Sequence, residues 1–305
     1  MPTIHLANIL KDLGTQSVRA LAHSTGSPEQ SVAKQAQIAA IRSLYRQAGA
    51  YRSGLGFPLS EVRFLNNAGE QRFAGGHIQF LDLAPKAMQT TAIRVRYVGF
   101  HCSQESAHDQ VSAHDEPYFI IGIAGSNGSN TIRVGPYEEV DSGTDRFEAI
   151  LLADPFEGLG ITPPIVLAAV GLEHDYGTPE EAEAKVRDAI KAMEQKLEQA
   201  LAAFLGTPVD NHVLPEWARD ILIGWAPEAA AAILGLGDDQ IGKVAKVLFD
   251  FDPGLDKWHA PEVIGQHGEN DYNERIPMNG GNEGEYELRF LVDIVDIEFE
   301  VRPRQ

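Results

Sequence analysis

The strongest constraint on the fold is a hydrophobic pattern that alternates, changes to a helical period, and then alternates again. Apolar residues alternate with polar ones through most of residues 92–100 and of residues 286–301, which predicts strands with one face in a core. Between them, apolar residues recur at steps of three and four from Val186 to Phe204, which predicts a long amphipathic helix. We therefore expect the chain to leave a sheet, build helices and return to a sheet.

Three further apolar segments predict strands between these two runs. Asn127 and Gly128 follow the first of them and are typical of a tight turn, so residues 118–135 are expected to form a hairpin. Antiparallel strands joined by short turns favour a β-sandwich. The three segments are residues 118–124, 147–152 and 165–172.

A helical insertion is expected between the strands, over residues 178–252. It begins with the run Thr-Pro-Glu-Glu at residues 178–181, which is typical of a capping box with proline at the first helical position. Gly206 is expected to end the long helix. Residues 215–251 predict two or three more helices, the last of them marked by Val244, Val247 and Leu248.

Charge is divided unevenly along the chain. Residues 1–100 hold 11 Lys/Arg against 5 Asp/Glu, and residues 101–305 hold 14 against 39, which together give the formal charge of −19. This asymmetry predicts two modules, residues 1–88 and residues 89–305. The acidic part repels phosphate backbones, which argues against nucleic-acid binding, and attracts cations or basic partners. The predicted class is α+β: a small N-terminal helical module plus an antiparallel β-sandwich with a helical insertion.

Several classes of protein are disfavoured by what the sequence lacks. It has no run of about 18 apolar residues, and its start has no basic region followed by an apolar stretch, so we expect no transmembrane helix and no cleaved signal. A cytoplasmic location and export by a non-classical route both stay open. The single Cys102 excludes an internal disulfide. The sequence contains no GxSxG, P-loop or GxGxxG motif, so none of these motifs indicates an enzyme.

Residues 49–82 predict tight turns between very short strands, after a helix predicted for residues 28–48. The segment contains Leu55, Gly56, Phe57 and Pro58, followed by Phe73, Gly75, Gly76 and Ile78. Through these residues the segment from about residue 36 to residue 82 resembles a single LGFP repeat, a module of bacterial surface and cell-wall-associated proteins. The resemblance implies contact with cell-envelope glycans; a purely structural module is the alternative. The glycan contacts that the resemblance implies are assigned to Leu55, Phe57 and Phe73.

Two acidic turns could meet at one rim of the predicted sandwich. One turn precedes the strand that begins near Tyr118, and the other follows the strand that ends near Leu172. Ca²⁺ takes six to eight oxygen ligands, so such a site needs carboxylates that converge from several loops. Carboxylates that are merely solvated in these loops are the alternative.

Residues 116–119 read Glu-Pro-Tyr-Phe at the start of one predicted strand, and residues 173–175 read Glu-His-Asp at the end of another. This layout is similar to that of C2 domains. Residues 116–119 (Glu-Pro-Tyr-Phe) resemble the family's loop that enters a strand, and residues 173–175 (Glu-His-Asp) resemble its acidic strand end. Residues 238–242 and residues 262–265 are two candidates for a further family turn. The resemblance implies Ca²⁺ binding. The expected ligands are Asp109, Asp115, Glu116, Glu173 and Asp175.

The leading functional interpretation is a non-enzymatic binding protein, acting at a bacterial cell surface or secreted as an effector. Its expected partner is a cell-envelope glycan or protein. One alternative is a membrane-active toxin that inserts residues 217–237, which are apolar and contain Trp217 and Trp225. The other is a metal-dependent hydrolase that uses histidines near the acidic turns, which are His101, His108, His114 and His174.

Overall fold

The computed structural model describes residues 28–56, 58–106, 116–125, 128–157, 160–161, 165–174, 179–205, 240–249 and 271–303. These residues divide into two compact units. The first contains residues 28–90 and 297–303, and the second contains the remainder. The boundary expected near residue 88 falls close to this division, whereas residues 297–303 belong with the first unit rather than with the expected domain 89–305.

The first unit is a helix packed on a small antiparallel sheet. Helix α1 (Pro28–Ala48) is followed by strands β1 (Arg63–Leu65), β2 (Ala68–Phe73), β3 (Gly76–Leu81) and the first part of β4 (Ala84–Gln104). The strands are hydrogen-bonded in that order. Their short hairpins confirm the tight turns expected over residues 49–82. The core consists of Ile41, Tyr45, Leu55, Phe73, Ile78 and Ala87.

The second unit contains two antiparallel sheets around one hydrophobic core, as a β-sandwich does. In one sheet the order is β7–β4–β11–β10, and in the other it is β6–β5–β8–β9. Both sheets contribute to a single cluster of buried apolar side chains, which is how two amphipathic sheets remove their inner faces from water. The strand bounds are β5 (Pro117–Gly125), β6 (Gly128–Val134), β7 (Asp145–Ala153), β8 (Ile165–Glu173), β9 (Gln240–Phe249), β10 (Glu274–Asn279) and β11 (Glu285–Glu300).

Helix α2 (Pro179–Leu205) packs on the second of these sheets, against β5 and β6. Val186 and Ile190 on the helix are buried, and a Cβ added at Gly122 of β5 would lie 2.4 Å from the Ile190 side chain. Glycine at position 122 therefore permits the close approach of helix and strand. All residues of β5 and β8 are buried, which explains why both read as continuous apolar runs rather than as alternating ones.

Two parts of the chain differ from their sequence-based expectations. Residues 240–249 were expected to be helical, but they form β9, which pairs antiparallel with β8. Residues 274–279, for which no strand is predicted above, form β10, which pairs with β11. Of the segment expected to form a helical insertion, residues 179–205 form helix α2, and residues 206–239 lie outside the described part of the chain.

A buried carboxylate, Asp154, fixes the chain after β7. Its Oδ2 accepts a hydrogen bond from Nε of Arg94 at 2.6 Å, and its Oδ1 accepts one from the backbone N–H of Phe156 at 2.7 Å. Burial alone raises the pKa of this carboxyl, but the hydrogen bonds from Phe156 and Arg94 outweigh burial and lower the pKa below its ordinary value. The charged form is therefore the one that the fold stabilises.

We expect Asp154→Asn to lower the free energy of unfolding by about 1–3 kcal/mol at neutral pH, because the substitution removes charge-assisted hydrogen bonds. The folded-state pKa is depressed, so the contribution of the carboxylate is present above its unfolded pKa and is lost as pH falls through the folded value. Urea unfolding at about pH 7 and about pH 3 should show a deficit that shrinks in acid. Glu157→Gln, at an exposed neighbour, is the control. A deficit of equal size at both pH values would contradict the prediction.

Candidate functional site

The candidate site lies where β5 begins and β8 ends. Pro117 is the cross-strand partner of Glu173, and the backbone N–H of His174 donates to the carbonyl oxygen of Glu116 at 3.3 Å. Glu116 and Glu173 therefore sit at the same end of one sheet. The expectation that the two acidic turns meet is confirmed for these residues. Asp109, Asp115 and Asp175 lie outside the described residues.

Glu173 is the most deeply placed carboxylate of this end, with 3% of its surface exposed. It follows eight apolar or glycine residues of β8 and is engaged by another group of the protein. A carboxylate at this depth stays charged only where hydrogen bonds or a cation compensate for lost hydration. Glu116 is half-buried and lies nearer the solvent.

His174 directly follows β8 and precedes helix α2 in the sequence. Its ring meets the Tyr118 ring edge-on, with centroids 6.2 Å apart. Its Nδ1 is buried and has no hydrogen-bond partner within the described part of the chain. The ring thus packs against apolar structure on one side while its backbone ties the two acidic turns together.

Other loops reach the same end of the sandwich. The turn between β10 and β11 approaches both Ile241 at the start of β9 and Gln104 at the end of β4, as the close surroundings of Gly280 and Gly284 show. The loop before β7 is attached to the end of β4, since the Glu105 backbone N–H donates to Oγ of Ser142 at 3.0 Å. We call this end the acidic rim. Its described carboxylates are Glu105, Glu116, Asp141, Glu173, Glu283 and Glu285.

The donor set of the acidic rim suits a hard cation but is incomplete. Glu116 and Glu173 offer carboxylate oxygens, the ligand type that Ca²⁺ takes. Among the residues that the structure describes, no group of three or more His, Cys, Asp or Glu side chains is arranged to hold a metal ion. Full coordination would therefore require oxygens from Asp109, Asp115 or Asp175.

Two of the three residues assigned to glycan contact, Leu55 and Phe73, belong to the core of the first unit. Leu55 is fully buried, and Phe73 is buried and stacks on Tyr45 with ring centroids 4.6 Å apart. The Tyr45 hydroxyl also donates to the Gly56 carbonyl oxygen at 2.8 Å. Leu55 and Phe73 are thus core residues whose side chains do not face solvent, which corrects their assignment as a glycan-contacting surface. Phe57 lies outside the described residues.

The features behind the two alternative functions are described only in part. The Nδ1 atom of His101 lies 3.1 Å from Oδ1 of Asp145 on the neighbouring strand, whereas His108 and His114 fall outside the described residues. Residues 217–237 fall outside them as well. Of the helices that the structure describes, none is long and apolar enough to cross a membrane.

Sequence reasoning missed an ionic network on the outer face of the β7–β4–β11–β10 sheet. Arg289 on β11 is nearly buried, and its Nη1 donates to Oδ1 of Asp145 at 2.8 Å. Its guanidinium also lies over the Tyr272 ring, 5.0 Å from the centroid. The alternation of Glu287 and Arg289 in the sequence is the available signal, but it does not reveal partners on other strands. Every charge here is balanced by a neighbour, so the network serves to join strands.

Comparisons with known proteins assign no family. No protein-family model matches the sequence, and no curated protein matches it.

Proposed function

We propose that this is a non-enzymatic binding protein whose acidic rim binds Ca²⁺. Glu116 and Glu173 are two of the ligands, and Asp109, Asp115 and Asp175 supply the others. The observation that supports the proposal is the hydrogen bond from the His174 backbone to Glu116, because it holds the start of β5 beside the end of β8. Asp109 and Asp115 precede Glu116 in the sequence, and Asp175 follows His174. The C2-like character of the sandwich and the LGFP-like character of the first unit belong to the same proposal, as does a role at the cell envelope or as a secreted effector.

The electrostatics of the chain favour a cationic ligand. Residues 101–305 carry 39 Asp/Glu against 14 Lys/Arg, so cations are drawn toward this part of the protein. Carboxylates that converge at one rim repel each other, and a divalent cation between them removes that repulsion. Binding should therefore stabilise the folded state.

Addition of Ca²⁺ should raise the temperature of thermal unfolding. At a free concentration about a hundredfold above the dissociation constant, binding to the folded state alone adds about 2.7 kcal/mol. The measurement is a thermal melt followed by circular dichroism, with Ca²⁺ in the micromolar to millimolar range. Potassium chloride at equal ionic strength controls for charge screening.

Two paired variants make this test specific. Asp115→Asn with Asp175→Asn should abolish the Ca²⁺-dependent shift. Asp296→Asn with Glu298→Gln removes two exposed charges from β11 and should leave the shift intact. If wild-type protein shows no shift in millimolar Ca²⁺, or if both variants lose it equally, the acidic rim is a solvated surface and the proposal is wrong.

A further inference from the structure

The outer face of the first unit's sheet carries a row of apolar residues at its end. Leu65 pairs with Ala68 across β1 and β2, and Leu81 pairs with Ala84 across β3 and β4. Glu70 of β2 pairs with Gln79 of β3. Ala68 and Leu81 each lie two residues closer to the turn at their end of the strand, so they are also directly opposite each other. All four residues therefore lie in one row on one face of the sheet. Leu83 lies beside this row, in the turn between β3 and β4.

Leu65 and Leu81 of this row, and Leu83 beside it, are exposed to solvent. The exposed fractions are 89% for Leu83, 61% for Leu65 and 39% for Leu81. The opposite face of the same strands is buried, as Gln71, Ile78 and Ala87 show. Single exposed apolar residues are ordinary, but several at one end of a sheet mark a surface that contacts something else.

Basic residues lie directly behind the leucines on the same face. The next row across the four strands is Arg63, Glu70, Gln79 and Lys86, with Arg63 and Lys86 exposed. A third row begins with Arg72 and His77. The described residues of the first unit, 28–90 and 297–303, hold eight Lys/Arg against six Asp/Glu, whereas the remainder of the chain is strongly acidic. The face thus combines an apolar edge with two exposed cations, Arg63 and Lys86, which lie on either side of Glu70 and Gln79 in the next row.

We propose that this face docks on an anionic lipid surface. Leu65, Leu81 and Leu83 enter the boundary between headgroups and acyl chains, while Arg63 and Lys86 contact lipid phosphates. This combination of inserted apolar side chains and flanking cations is how peripheral proteins bind anionic membranes. A bilayer accepts side chains that protrude from turns without any complementary pocket, whereas a protein partner would need to provide one. Docking of this kind is independent of Ca²⁺ at the acidic rim.

The test is flotation of the full chain with vesicles of phosphatidylcholine, with and without phosphatidylserine, at low salt and in the presence of a chelator. The whole chain carries a charge of −19, so anionic vesicles repel it at long range and retention requires local contacts. We expect binding only to the vesicles that contain phosphatidylserine. Arg63→Gln with Lys86→Gln should weaken it about fivefold for each cation removed. Leu65→Ser with Leu83→Ser should weaken it on the order of tenfold.

Val32→Ser, at an exposed apolar residue of α1, is the matched control and should bind as wild type does. The altered leucines and cations are all exposed, so circular dichroism should report an unchanged fold. Absence of binding to phosphatidylserine vesicles at low salt would overturn the proposal, as would variants that bind like wild type. Self-association that rises with protein concentration and is lost in Leu83→Ser would also overturn it, because the face would then join copies of this chain.

Discussion

We expect Phe100→Ala to lower the free energy of unfolding by about 3–5 kcal/mol, the usual cost of truncating a buried aromatic residue. Phe100 is fully buried on β4 and packs against rings from both sheets of the sandwich. Its ring centroid lies 5.2 Å from that of Phe119, 4.9 Å from that of Tyr137 and 5.8 Å from that of Tyr286. Truncation therefore opens a cavity at the point where the two sheets meet.

Urea unfolding of Phe100→Ala measures this loss, and Phe299→Ala provides the comparison. Phe299 is an exposed phenylalanine of β11, so its truncation should change stability by less than about 0.5 kcal/mol. Since whole domains are stable by about 5–15 kcal/mol, Phe100→Ala should also shift the unfolding midpoint well below that of wild type. A similar midpoint for both variants would mean that the aromatic cluster does not hold the sheets together.

The period at which hydrophobic residues recur was sufficient to locate helix α2 and strands β5, β7 and β8. Helix α2 begins at Pro179, where the capping residues indicated a helix start, and strands β5, β7 and β8 include the segments expected from their apolar runs. In β5 and β8 the sequence pattern and the packing agree, because every residue of both strands is buried. In α2 they agree as well, since Val186 and Ile190 of the apolar stripe are buried. Local pattern then carries most of the structural information.

The same reasoning failed for β9, where local and tertiary preferences differ. Val244, Val247 and Leu248 are spaced as on a helix, and ten residues are too few to separate the two periods. The decisive interaction is pairing with β8, which satisfies backbone hydrogen bonds along most of the strand. That pairing joins segments about 75 residues apart in sequence, so no local pattern can report it.

The candidate site was accessible to sequence reasoning only through topology. If two antiparallel strands pair, the start of one and the end of the other must lie together, which is why Glu116 and Glu173 are neighbours. The attachment of Glu105 to Ser142 and the approach of the β10–β11 turn to Gln104 follow no such rule. These contacts depend on loop conformation and on how the two sheets stack, neither of which is encoded in a periodic pattern.

Gly99→Ala should be among the most damaging single substitutions, with an expected loss of about 2–6 kcal/mol from backbone strain and overpacking together. Gly99 lies at an irregularity in the pairing of β4 with β7 and has a φ of +119°, which L side chains rarely adopt. A Cβ at this position would lie 1.9 Å from the carbonyl oxygen of Arg146. Because that contact is with backbone, no side-chain rotation relieves it, and β4 and β7 must separate.

Alanine substitution at two other glycines distinguishes backbone strain from overpacking as the cause of this loss of stability. Gly143 has a φ of +91° but open space around its added Cβ, so Gly143→Ala should show backbone strain alone, about 1–2 kcal/mol. Gly128 has open space and no such φ, so Gly128→Ala should change stability by less than about 0.5 kcal/mol. The three alanine variants, compared by urea unfolding, should therefore rank Gly99, Gly143, Gly128 in decreasing loss. If Gly99→Ala costs no more than Gly143→Ala, β7 is free to move away from β4, and the tight pairing described for this edge of the sandwich is wrong.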